Sequence, residues 1–95
     1  MTAKIELENA VSVSSLRMGN TFRGKELIER TKRIDHKQAW ISTISRNPRG
    51  IRRSCYYISH DGKQVTDVQS AGFSELSSSD STYLRYDAKL KEAGL

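Results

Sequence analysis

The chain has one cysteine, one proline, one tryptophan and no apolar run long enough to cross a membrane as a helix. Cys55 has no partner within the chain, so an intramolecular disulfide is excluded and a reducing compartment is expected. Set between Ser54 and Tyr56-Tyr57-Ile58, it reads as a small buried hydrophobe rather than a reactive thiol. Met1-Thr2-Ala3-Lys4-Ile5-Glu6 lacks the apolar stretch of a signal peptide, so a cytoplasmic protein without membrane attachment is the expectation. Two histidines, His36 and His60, and one cysteine make no zinc spacing, and Gly-rich phosphate loops are missing. Glu26 and Glu29, among Lys25, Arg30 and Arg33, read as charge balance rather than acid–base machinery. No catalytic residue, metal or cofactor is therefore expected, and the chain does not read as an enzyme. Its 95 residues, 36% hydrophobic, can build one compact domain with a small core.

What the sequence does have is unevenly placed positive charge. Arg23, Lys25, Arg30, Lys32, Arg33, Lys37, Arg46, Arg49, Arg52 and Arg53 stand against Glu26, Glu29 and Asp35, so residues 23–53 carry ten bases and three acids. The remainder holds six bases and eight acids, within a net charge of +5. Charge gathered into one third of a chain points to an anionic partner, with nucleic acid first.

Residues 2–18 fit both a strand and a helix, and the stop at Gly19-Asn20 favours a helix ending there. Thr21 can then cap a new helix. Leu27, Ile28 and Thr31 form an apolar stripe, predicting a short helix over residues 25–31. Asp35 can accept backbone N–H groups at the start of a further helix, residues 36–46, with Ile34, Trp40, Ile41 and Ile44 gathered on one side. Its other side shows Asp35, Ala39, Ser42, Thr43 and Arg46, with His36 and Gln38 at the margins. Asn47-Pro48-Arg49-Gly50 breaks the pattern, and residues 51–59 read as a strand. Beyond it, His60-Asp61-Gly62-Lys63 is either a hairpin turn into a strand over residues 64–68 or the start of a helix. Residues 71–81 read as a flexible connector. Asp80 or Ser81 then caps a last helix with Tyr83, Tyr86 and Leu90 on one face and Gly94 at its end. Trp40 reads as a core anchor, and of Tyr56 and Tyr57 one ring is expected inside and the other outside.

The order of these elements resembles a winged helix-turn-helix domain of the small bacterial or bacteriophage regulator type. Thr21-Phe22-Arg23-Gly24-Lys25-Glu26-Leu27-Ile28 resembles the opening of its second helix, residues 36–46 its recognition helix, and Asn47-Pro48-Arg49-Gly50-Ile51-Arg52-Arg53 its wing. Tyr56-Tyr57-Ile58-Ser59-His60-Asp61-Gly62 resembles the returning strand. The turn from Thr31 to Asp35 lacks the usual glycine, and Lys37 falls on the apolar side of its helix. The resemblance implies an α+β fold with a helical core and a small β-hairpin wing over residues 1–72, a polar linker over 73–81 and a C-terminal helix over 82–95.

It also implies a sequence-specific regulator of transcription that acts by occupying duplex DNA. His36, Lys37, Gln38, Ser42 and Arg46 would read or hold the major groove, with Arg49, Arg52 and Arg53 on the wing. Tyr83, Tyr86 and Leu90 would pair two copies or dock on the parent domain. Two other readings are open. The basic face could meet an acidic surface of a host polymerase or nuclease complex. With the Asp61-Gly62 hairpin, the chain would be a three-stranded meander flanked by helices, the element order of double-stranded-RNA-binding domains.

Overall fold

The computed structural model describes residues 11–95. They form an antiparallel meander of five strands, β1 (Thr21–Phe22), β2 (Glu26–Arg33), β3 (Gln38–Asn47), β4 (Gly50–His60) and β5 (Val65–Leu76), each paired with its sequence neighbours. One helix, α1 (Tyr83–Glu92), follows the sheet. The expected helix over residues 2–18 lies partly outside the described residues; within them, Ser12 bridges Gln64 and Val13–Ser15 form a single 3-10 turn.

The winged-helix expectation is corrected. The two segments expected to be its helices, residues 25–31 and 36–46, lie in β2 and β3 and pair with each other. The reason lies in β3, where Ile41, Ser42, Thr43 and Ile44 are consecutively buried. A strand covered on both faces hides the two-residue alternation that marks a half-exposed strand. Trp40, Ile41 and Ile44 then mimic a helical stripe, while the β-branched Ile41, Thr43 and Ile44 favour the extended chain. The fold is a curled β-sheet with one short helix rather than a helical core with a wing.

The turns keep much of the expected chemistry in different elements. Asp35 Oδ1 accepts the backbone N–H groups of Lys37 and Gln38, both at 2.8 Å, and so closes the β2–β3 turn instead of starting a helix. Those bonds, led by the Lys37 N–H, hold its carboxyl below the usual aspartate value. Asp61 does the same for Lys63 and Gln64 in the β4–β5 turn, so the hairpin is the alternative that the chain adopts after His60. Asn47 pairs with Gly50 across Pro48-Arg49, and Asn47 Oδ1 accepts the Arg49 N–H at 2.9 Å. Residues 71–76, expected as connector, complete β5. Asp80 accepts the Ser77 N–H rather than capping α1, whose N-cap position is Thr82.

Two small cores lie on opposite faces of the sheet. Leu16, Phe22, Ile28, Ile41, Tyr56, Ile58 and Val65 form the first, covered by the chain that precedes β2. Leu27, Ile44, Ile51, Tyr86 and Leu90 form the second, covered by α1. The pairing accounts for this division. Leu27 is opposite Ile44 on one face, and Ile28 is opposite Thr43 on the other. Tyr86 and Leu90, candidates for pairing two copies, are 6% and 0% exposed within the chain's own core.

Leu90 is the deepest part of α1 in that core, so Leu90→Ala should lower the unfolding free energy by about 2–5 kcal/mol in urea titration. Gly50 has φ +144° and its Cα faces the Leu76 carbonyl so closely that a Cβ would collide with it. Gly50→Ala should therefore destabilise by about 1–3 kcal/mol in the same titration, and an unchanged midpoint would contradict the geometry.

Candidate nucleic-acid interface

Residues opposite each other in an antiparallel ladder project to the same face. Lys32 is opposite Trp40, Trp40 opposite Tyr57, and Tyr57 opposite Gln69, which sets four side chains in a row across β2 to β5. A second row runs Arg30, Ser42 and Cys55, and a third runs Gln38, Ser59 and Asp67. All share the face that carries Leu27 and Ile44. Since α1 packs on the Leu27, Ile44 and Ile51 end, the rows through Trp40 and Gln38 at the other end stay uncovered by it, with the buried Ser42 at the boundary. Tyr57 is 51% exposed there, while Tyr56 points the opposite way into the first core, as expected of the pair. Trp40, expected as a core anchor, belongs to neither core and is half-buried on this face. Cys55, expected to be buried, is half-buried beside it.

Beneath the rows lies a charged contact. The register shift between Ile28 and Arg30 directs Glu29 toward this face, where its Oε1 accepts from Ser42 Oγ at 2.8 Å and from Arg53 Nε at 3.2 Å. Burial pushes the Glu29 carboxyl up. The Ser42 hydroxyl, the Arg53 guanidinium and the charge of Arg30 outweigh it and hold the group below its ordinary value near 4.5. Held in this way, Arg53 also stands 6.0 Å from the Trp40 ring centroid. Arg30, Lys32 and Lys37 form no ion pair among the described residues, so their charge is available to a ligand.

The residues expected to read DNA are dispersed. Gln38 and Arg53 lie on the open face, and His36 and Lys37 are on the exposed β2–β3 turn at its end. Ser42 is fully buried and given to Glu29. Arg46 ties α1 to the sheet, bonded to Asp87 Oδ1 at 2.7 Å and to the Leu95 carbonyl at 3.0 Å. Arg49 is at the far β3–β4 turn. Arg52 projects from the opposite face, bridged to Glu75 at 2.8 Å and stacked 4.4 Å from the Phe73 ring centroid. Arg52 and Arg53, neighbours in sequence, therefore cannot act on one ligand surface as a wing would have them do. Sequence reasoning missed Lys32, Tyr57, Asp67 and Gln69 as a set. A two-residue period read across 38–42 and 55–59 would have placed Trp40 and Tyr57 on matching faces.

Glu29→Gln should lower stability by about 1–3 kcal/mol at neutral pH, by weakening the bonds from Ser42 and Arg53. Because the folded carboxyl is depressed, its stabilisation is complete above the ordinary glutamate value and lost as pH falls through the lower folded value. The gap between the two proteins should thus narrow in acid, and a pH-independent gap in thermal melts would rule out the ionised contact. No protein-family model, curated protein or solved structure matches the chain.

Proposed function

We propose that the protein binds single-stranded nucleic acid across the open half of its sheet, with unpaired bases laid on Tyr57 and Trp40 and phosphates held by Lys32, Arg30 and Lys37. The observation that carries this reading is the row Lys32, Trp40, Tyr57 and Gln69, which places the exposed Tyr57 and the half-buried Trp40 beside cations on one face. Bases stack on aromatic side chains without regard to sequence, and lysine and arginine follow the backbone. Neighbouring strands are about 4.8 Å apart, so side chains on adjacent strands can engage adjacent parts of an extended ligand.

An unpaired strand suits this face better than a duplex does. Tyr57 offers a ring to a base face, which a stacked duplex keeps covered, and the segment expected to enter the major groove is a strand in the middle of the sheet. An acidic protein would satisfy the cations but would leave the aromatic row without a specific use.

Fluorescence anisotropy with a labelled single-stranded RNA, the matching DNA strand and the annealed DNA duplex tests the reading. Both single strands should bind more tightly than the duplex, and log affinity should fall with log salt by about 0.7 per phosphate neutralised. Tyr57→Ala should cost about 1–3 kcal/mol of binding, whereas Arg49→Ala, at the far turn, should change affinity little. Equal or tighter duplex binding, or full binding by folded Tyr57→Ala protein, would overturn it.

A further inference from the structure

We infer that the depression beside Tyr57 takes a single guanine base, an assignment that rests on the single-strand reading above. The depression has a volume of about 230 Å3 and is bounded by Ile34, Gln38, Tyr57, Ser59, Asp67 and Gln69. Ile34 and the Tyr57 ring supply apolar surface, both about half exposed. The remaining four side chains supply polar groups. Register fixes this grouping, since Gln38 is opposite Ser59, Ser59 opposite Asp67, and Tyr57 opposite Gln69.

Asp67 is the informative member. Asp35 and Asp61 accept turn N–H groups, Asp80 accepts the Ser77 N–H, and Asp87 pairs with Arg46 and Lys91. Asp67 has neither an ion pair nor a side-chain hydrogen bond among the described residues. A carboxylate on a phosphate-binding face repels the backbone of the ligand, so its place is at a base edge. Ionised, it only accepts hydrogen bonds, and it can accept two side by side. Guanine alone among the four RNA bases presents two adjacent N–H donors on its Watson–Crick edge, at N1 and the 2-amino group. Adenine and cytosine set one amino group beside an acceptor nitrogen, and uracil sets one N–H between two carbonyls. The amides of Gln38 and Gln69 can donate to the guanine O6, while Tyr57 stacks on the ring.

Labelled uridine heptamers carrying a central guanine, adenine, cytosine or uracil test the assignment against wild-type and Asp67→Asn protein. Wild type should prefer the guanine oligonucleotide by about tenfold, the discrimination of one good bidentate pair. Asp67→Asn should abolish that preference while binding the other three as well as wild type does, or better, since one negative charge is gone. Asp67 is exposed, so thermal melts of the two proteins should coincide. Equal affinity of wild type for all four oligonucleotides, or a guanine preference that survives Asp67→Asn, would overturn the guanine assignment and leave the single-strand reading standing. Failure of wild type to bind any of the four would overturn both.

Discussion

The structure depends on covering one small sheet from both sides at different places. A five-stranded meander has two faces, and neither the chain before β2 nor the short α1 can cover a whole face. The first core therefore sits around Ile41 and Tyr56 on one face and the second around Ile44 and Leu90 on the other. The central strands are buried on both sides where these covers adjoin, which is why Ser42 and Thr43 are as inaccessible as their isoleucine neighbours. Their hydroxyls are satisfied by Glu29 and Glu26, so the buried polar atoms of β3 carry no penalty for lost water.

The same division creates the open surface. Where α1 stops, the face that it covers continues as rows of polar and aromatic side chains without a change of backbone. The site is thus held by the paired middle of the sheet, β3 and β4, rather than by loops. Glu29 belongs to both regions, fixing Arg53 beside Trp40 while standing next to Leu27 in the strand that reaches the second core. On the opposite face Tyr56 donates to Glu26 at 2.7 Å, and burial followed by that carboxylate raises its phenol above the ordinary tyrosine value.

The punctuation of the chain was legible in the sequence. The Asn-Pro-Arg-Gly break, the strand after it, the last helix and its buried face, and the opposed directions of Tyr56 and Tyr57 can all be read without coordinates, because each rests on a local rule. What lies between the breaks is not legible by such local rules. Around β3 the period-2 signal is erased by burial on both sides, and in β2 the run Arg30-Thr31-Lys32-Arg33 offers no apolar alternation. Asp35 accepts backbone N–H groups as its place in the sequence implies, but a turn and a helix start ask for the same chemistry. The concentration of positive charge was equally plain, yet sequence proximity does not give spatial proximity in a strand. Arg52 and Arg53 leave on opposite faces, and Arg46 is drawn into holding the helix.

The nearest-neighbour topology sets an order of assembly. Every strand pairs with the next in sequence, so each hairpin can close over a short loop and the sheet can grow from turn to turn. The α1 contacts are different in kind, because Arg46 reaches Asp87 and Leu95 across 41 and 49 residues of chain. Once β3 to β5 are paired, only the short link from Leu76 to Tyr83 has to close, and the helix then meets Ile44 and Ile51 on one face. The helix thus packs on a face that only the assembled sheet presents. Without it, Leu27, Ile44 and Ile51 would lie bare as a strip continuous with the aromatic rows.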